Sequence, residues 1–433
     1  MSDYLTEYKR WLELGSAQER SELAGLDQSE IKERFYTELE FGTAGMRGII
    51  RTGTNGMNER TVARATLGLA EFIKAHGEDA ARRGVVISYD SRFKSREFAE
   101  LTARVLAQAG VKAILYDALR PVPLLSFGVR YFKAFAGVMI TASHNPKEYN
   151  GYKVYGGDGA QLAPEAANEV LSQINRLDYF NIPCAQMEDA QLRGLVITVG
   201  KELDDAYLSF ILPLADMNVI DKQAEKLKFI YTPLHGSGLN SVKSMFNALG
   251  FKNMQLVPEQ CAPDGSFPTV STPNPENADA LQMGIRLADK TGAELVIGTD
   301  PDCDRCCVAV PDQTGGYRLL TGNEMGVLLL DYVCSHRKAQ KGELPPVAVK
   351  TIVTTEMAVP ICKKYGVELR RTLTGFKFIG EQIKFFEQTG SNNYVFGLEE
   401  SYGCLAGTHA RDKDAVVAVM CLCEVAAYCK KHN

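Results

Sequence analysis

Two rhythms of apolar residues alternate along this chain. Short, almost unbroken runs read as strands buried on both faces: Val85–Tyr89, Val111–Tyr116, Ala136–Thr141, Leu227–Tyr231, Met254–Val257, Glu294–Gly298, Val347–Val353, Glu368–Thr372 and Tyr394–Gly397. The segments between them carry helical spacing, which predicts helices over 61–76, 95–109, 121–132, 241–249, 323–335, 355–365 and 413–430. The last of these is apolar on most faces and is expected to be buried. Strand, helix, strand in short cycles is the signature of an α/β layered fold.

The first 40 residues break that rhythm. Leu5, Tyr8 and Leu12 recur at helical spacing, Gly15 suits a helix stop, and Asp27 followed by Glu30 is a capping box before Ile31, Phe35 and Leu39. A glycine-rich loop, Phe41-Gly-Thr-Ala-Gly-Met-Arg-Gly48, follows. The cycles then group into three α/β units with mixed sheets, placed at 1–205, 206–315 and 316–433. No low-complexity linker separates them, so close packing is expected.

Composition narrows the function classes. The 433 residues exceed one ordinary domain, and 45% hydrophobic with 23% charged residues is the balance of a globular protein. A net charge of −5, from 48 basic and 53 acidic residues, gives no reason to expect nucleic acid or an anionic membrane as partner. No apolar run reaches the roughly 18 residues of a membrane span, and the polar N-terminus lacks a secretory core. A cytoplasmic protein is the expectation. The 11 cysteines have no framework spacing and read as small core residues. Cys303-x-x-Cys306 is half a zinc site without its second half.

The chemistry gathers at strand ends, where α/β folds place their sites. Thr-Ala-Ser-His-Asn-Pro at 141–146 sets the Ser143 hydroxyl just after an apolar strand. Serine needs a base, and His144 and Lys153 are close in sequence; Lys153 folds back over the site if 150–154 follows a turn. Helix capping and an Asn-Pro turn explain the same residues without chemistry. Asp300, Asp302 and Asp304 alternate after another strand, and in an extended loop all three carboxylates face one side. Three like charges so close call for a cation, and oxygen ligands favour Mg²⁺. A solvated acidic turn is the alternative. Arg305 and Pro311 stand where an EF-hand needs Gly and Glu, so that loop is excluded. Gly397-Leu-Glu-Glu-Ser-Tyr-Gly403 offers paired carboxylates and a hydroxyl suited to sugar diols, or is an ordinary polar loop. The loop carrying Thr374, Gly375 and Lys377, and the one from Thr43 to Arg47, could each hold an anion or be plain turns. His235 reads equally as a turn residue and as a catalytic one.

Four motifs in this order and spacing, at 41–48, 141–146, 300–305 and 397–403, resemble those of the α-D-phosphohexomutases, the phosphoglucomutase/phosphomannomutase family. The resemblance implies domains around a deep cleft and a phosphate carried on Ser143. It implies Mg²⁺ held by Asp300, Asp302, Asp304 and a phosphoserine oxygen of Ser143. His144, Lys153 and Arg47 match acid/base or supporting residues. Arg305, Glu399, Ser401, Lys377, Thr374 and Gly375 match residues that contact phosphate or sugar. The implied reaction interconverts glucose 1-phosphate and glucose 6-phosphate through a hexose 1,6-bisphosphate, with glucose 1,6-bisphosphate as activator. Phosphomannomutase or phosphopentomutase activity, and a non-catalytic sugar-phosphate binder, are the alternatives. The family's fourth domain carries an Arg-x-Ser-Gly-Thr-Glu-type loop for the distal phosphate; no such stretch occurs in this sequence, so three domains and impaired turnover are expected.

Overall fold

The computed structural model describes residues 4–42, 45–336 and 344–432. Thr43, of the glycine-rich loop, lies outside the described residues. Among the described residues, fifteen strands form three mixed sheets. The first contains β1 (Met46–Ile49), β2 (Val85–Tyr89), β3 (Ala113–Tyr116), β4 (Ala136–Ile140), β5 (Tyr149–Gly156) and β6 (Val196–Val199), in the order β1-β5-β4-β2-β3-β6. Its centre is parallel; β5 returns antiparallel to β4 with Lys153 opposite Met139. The chain leaves β2 for β3 on one side and reaches β4 on the other. The crevice that opens at such a reversal is where α/β sheets bind ligands, and here Asp90 and Ser143 flank it.

The second sheet is built from β7 (Phe229–Thr232), β8 (Met254–Leu256), β9 (Leu295–Thr299), β10 (Cys306–Pro311) and β11 (Tyr317–Leu319), in the order β11-β10-β9-β7-β8. The acidic motif is the turn between antiparallel β9 and β10. The third comprises β12 (Pro346–Thr351), β13 (Glu368–Thr372), β14 (Asn393–Leu398) and β15 (Cys404–Ala406), in the order β13-β12-β14-β15. The Glu-Glu-Ser-Tyr motif joins β14 to β15.

The helix Ala415–His432 is buried as its all-round apolar pattern requires. It packs on helices Leu239–Ala248 and Gly322–His336 and on β10 and β15. One hydrophobic cluster runs without a break from Val86 and Leu125 through Phe229 and Ile297 to Val416 and Met420, so the units share a core. At the N-terminus, helices Tyr4–Leu14, Ala17–Leu23 and Gln28–Phe35 close over the buried Trp11. The expected capping box forms, with Glu30 N donating to Asp27 Oδ1 at 2.8 Å.

The structure adds elements that the periodicity did not indicate: helices Glu78–Arg83, Pro164–Ile174, Met187–Leu192, Lys201–Ile211 and Phe376–Thr389, and the return strands β10, β11 and β15. Among the described residues, no helix is long and apolar enough to cross a membrane.

Candidate active site

Ser143 follows β4 in a left-handed conformation, φ 52°, which costs a non-glycine residue about 1–2 kcal/mol. The turn offsets that cost with hydrogen bonds. Ser143 N donates to Thr141 Oγ1 at 2.8 Å, and Thr141 Oγ1 donates to Asp90 Oδ2 at 2.6 Å. Behind the turn lies Arg92, its side chain wholly buried. Its guanidinium donates to four carbonyls of this one loop: Ser143 at 2.5 Å, Asn145 at 2.5 Å, Pro146 at 2.8 Å and Tyr149 at 3.0 Å.

The Ser143 hydroxyl points across the crevice into the second sheet's acidic turn, donating to Asp300 Oδ2 at 2.7 Å. Its other neighbour is His144 Nδ1 at 3.2 Å. Burial, with the Arg305 charge adding to it, depresses the His144 imidazole to about 3, so it is neutral near pH 7. The residues around Ser143 thus come from two separate units.

Asp300, Asp302 and Asp304 are buried, with one ligand oxygen from each lying within 4.8 Å of the others. The expected alternation along an extended loop is not how they meet. Residues 300–305 form a tight turn, with Cys303 at φ 53° and the amides of Asp304 and Arg305 both donating to Asp300 Oδ1, at 3.1 and 3.0 Å. A hairpin connection between antiparallel strands leaves no room for extended backbone, and the turn itself gathers the carboxylates. Burial and the neighbouring Asp302 push the Asp300 carboxyl well above the usual range. Burial works against Asp302 as well, but Lys153 outweighs it from 2.8 Å and holds that carboxyl below the usual range. Lys153 thus does fold back over the site, carried by β5. Oδ1 of Asp302 and Oδ1 of Asp304 are buried and accept no hydrogen bond. Buried carboxylate oxygens left unbonded, in an all-oxygen cluster, are the donor set that suits a hard divalent cation. The turn is therefore a candidate cation site, and among the described residues it is the one such cluster.

The third unit contributes a residue the sequence reading passed over. Lys413, buried, stands 3.1 Å from Asp304 Oδ2 and 3.0 Å from Asp412 Oδ1. Burial disfavours its charge, but Asp304 and Asp412 outweigh that and raise its pKa. Its stem crosses Gly403, where a Cβ would stand 2.1 Å from Lys413 Cδ. Asp412 Oδ2 in turn accepts from Tyr155 at 2.9 Å and Gln161 at 3.0 Å, both in the first unit. Asp414 accepts from Tyr207 at 2.8 Å and from His409 at 2.6 Å. The run Arg411-Asp412-Lys413-Asp414 stands at the start of the helix expected over 413–430, and the apolar pattern of that helix is the signal that its first residues are buried.

The other anticipated residues fall into place around this centre. Arg47, exposed on β1, donates to Asn145 Oδ1 at 3.1 Å. Arg305 reaches Glu276 Oε1 at 2.9 Å, and its backbone pairs with Gly403, so the acidic turn and the Glu-Glu-Ser-Tyr loop touch. Glu399 is buried, its pKa raised by that burial, and it accepts from Gly375 N at 3.1 Å. That bond joins the 399–403 loop to the turn at Thr374 and Gly375; Lys377, expected in that loop, stands instead in the first turn of helix Phe376–Thr389. Thr374 is exposed, Ser401 is half-buried, and Lys377 lies over the Phe378 ring. His235 is a turn residue at φ 60°, its ring bonded to Ala262 O and Thr269 Oγ1. Among the described residues no two cysteines are joined by a disulfide, and Cys303 and Cys306 are buried.

Comparison with known proteins agrees with this architecture. Residues 38–180, 205–315 and 321–432 match domains I, II and III of phosphoglucomutase/phosphomannomutase, each described as an alpha/beta/alpha domain. A phosphoglucomutase of Staphylococcus epidermidis is 39% identical over 408 residues, 93% of this chain and 72% of that protein. One from Staphylococcus aureus is 36% identical over 411 residues, covering 94% and 72%. The crystal structure of a putative phosphomannomutase from Thermus thermophilus superposes with a TM-score of 0.72 at 25% identity, over 91% of this chain and 81% of that one. On these matches the chain belongs to the phosphoglucomutase/phosphomannomutase family, the α-D-phosphohexomutases, and is an intramolecular phosphotransferase.

Proposed function

We propose that this chain carries a phosphoryl group on Ser143 and exchanges it with a hexose phosphate, interconverting glucose 1-phosphate and glucose 6-phosphate. The observation that supports the reading above all others is the Ser143 hydroxyl held 2.7 Å from Asp300 inside the buried acidic turn. The three units are taken as 1–205, 206–315 and 316–433.

Asp300, Asp302 and Asp304, with an oxygen of phosphorylated Ser143, are the proposed Mg²⁺ ligands. When bound there, Mg²⁺ supplies positive charge to the phosphoryl oxygens and lowers the barrier to transfer. The chain's own residues do the rest. Transfer breaks the bond between Ser143 Oγ and phosphorus and forms one to the sugar's free hydroxyl oxygen, giving hexose 1,6-bisphosphate; the return step re-forms the serine ester with the other phosphate. His144, kept neutral by its burial, is placed to accept or hand on the proton at these oxygens. Lys153 and Lys413 hold the carboxylates in place, and Arg305 and Arg47 balance phosphate charge. The 399–403 loop, the turn at Thr374 and Gly375, and the helix start that follows it, with Glu399, Ser401 and Lys377, orient the sugar. Glucose 1,6-bisphosphate serves as the activating donor to Ser143.

Glucose is favoured because the relatives at 39% and 36% identity are named phosphoglucomutases; the putative phosphomannomutase at 25% makes mannose phosphate the second reading. A reducing cytoplasm suits 11 cysteines that form no disulfide among the described residues. Phosphate uptake by Ser143 is the primary readout. Incubation with glucose 1,6-bisphosphate and Mg²⁺ should add one phosphate to Ser143 by intact and peptide mass, and Ser143→Ala should add none. Equal labelling of the two proteins defeats the reading.

A further inference from the structure

We infer that Arg92 is the positioning residue for the phosphate-carrying serine, and that Phe267 of the second unit holds Arg92 in place. The inference rests on the reading of Ser143 as the phosphate carrier and assigns what sets its geometry.

Three observations carry it. A single buried guanidinium binds the carbonyls of Ser143, Asn145, Pro146 and Tyr149, so the whole turn from the nucleophile to β5 is hung on one side chain. Ser143 itself sits in a backbone conformation that its residue type disfavours, so the turn needs an external hold to keep the hydroxyl aimed at Asp300. Arg92 is fixed in its turn from two sides. Asp90 Oδ2 lies 3.4 Å from its Nε, and the Phe267 ring centroid lies 5.1 Å from its Cζ.

Phe267 reaches this point because its loop presses directly on the Arg92 turn. A Cβ on Gly265 would stand 2.5 Å from Phe93 N, a space only glycine leaves. The acidic turn and the Phe267 loop belong to the same unit. The Phe267 ring therefore ties the position of the serine turn to the unit that bears the carboxylates, by a route separate from the Ser143–Asp300 bond. Lysine cannot replace this arginine. Its ammonium is one point of charge and cannot reach carbonyls spread across a planar fork.

The test measures single-turnover transfer of phosphate from glucose 1,6-bisphosphate to Ser143 in Mg²⁺, over a range of donor concentrations. Circular dichroism and thermal melting are run on the same samples. For Arg92→Lys the maximal rate should fall about 100-fold, the effect of a misplacement near 1 Å, while the half-saturating concentration moves less than about threefold. Free guanidinium ion should restore part of the rate to Arg92→Ala. Phe267→Leu should slow transfer several-fold, and the double variant should be no slower than Arg92→Lys alone, because both act through one side chain. A wild-type maximal rate in Arg92→Lys overturns the inference, as do effects of the two substitutions that multiply. If Arg92→Lys does not fold, Phe267→Leu decides, since it leaves the arginine in place; a wild-type rate there overturns the inference. If the unaltered chain accepts no phosphate, the functional reading has failed and this inference goes with it. Normal uptake by the unaltered chain with unchanged rates in the variants removes the inference alone.

Discussion

Lys413→Met removes a buried ammonium at nearly constant volume. Its Nζ lies 3.1 Å from Asp304 Oδ2 and 3.0 Å from Asp412 Oδ1. Breaking a buried ion pair by deleting one partner costs about 3–5 kcal/mol, because the other charge stays buried without compensation. Here two carboxylates are left behind, but not equally exposed to the loss. Asp412 keeps the Tyr155 hydroxyl and the Gln161 amide, whereas Asp304 retains Lys153 at 3.8 Å and Arg305 at 3.9 Å, both beyond hydrogen-bond reach. The low end, about 3 kcal/mol, is therefore expected. At about 2 °C per kcal/mol for a large cooperative unit, the melting temperature falls by about 6 °C in EDTA. A bound divalent cation stabilises in proportion to its saturation, about 2.7 kcal/mol at 100 times Kd. With the ammonium gone, the cluster is more negative and should bind Mg²⁺ more tightly, so saturating Mg²⁺ should recover most of the deficit. The assay is thermal melting of both proteins in EDTA and in a magnesium series. A shift under about 1 °C in EDTA would refute the buried pairing. A deficit of unchanged size in saturating Mg²⁺ would refute the sharing of these carboxylates between lysine and cation.

Two further predictions concern other parts of the chain. Glu19 and Glu22 stiffen the N-terminal helices: burial raises both carboxyls, but Arg60 and Ser16 on Glu19, and Thr52 and Arg34 on Glu22, outweigh it and hold them below their ordinary 4.5. A depressed carboxylate contributes stability above its unfolded pKa that is lost as pH falls through the folded one. Fluorescence of Trp11, the single tryptophan, should therefore report loosening of this unit below about pH 4.5, and Glu19→Gln should show a smaller acid step; identical acid profiles would exclude the assignment. Tyr207→Phe deletes the hydroxyl that donates to buried Asp414 at 2.8 Å, and should destabilise by about 1–3 kcal/mol in chemical denaturation. A neutral result there would mean that His409 and the Val417 amide suffice for that carboxylate.

Local pattern carried most of the scaffold and half of the site. Strands such as β2 and β4 are apolar on both faces, so a run of Val and Ile suffices to find them. Ser143 and the three aspartates stand directly after such runs, which exposes them to view. Helix Phe376–Thr389 was legible in principle, since Phe376, Ile379, Ile383 and Phe386 keep helical spacing and all are buried; the preceding Gly375 drew the reading towards a loop. Strands β10 and β15 are antiparallel returns that only their partners define. Arg92 and Lys413 were out of reach for a different reason. Each is a charged residue in a polar stretch, and each is buried only because a distant segment supplies its partners: 143–149 for Arg92, 304 for Lys413. Sequence spacing holds no record of that meeting.

The four residues from Arg411 to Asp414 bear on inheritance. They answer to Ser126 and Tyr155 in one unit, to Asp304 in another and to Cys404 in their own. A chimaera that took its third unit from another lineage would import a lysine aimed at foreign carboxylates, and would leave Ser126 and Tyr155 of the first unit facing partners they were not placed for. Recombination between residues 305 and 411 should thus be tolerated only when both edges of the crossover travel together, and these units should descend as a set.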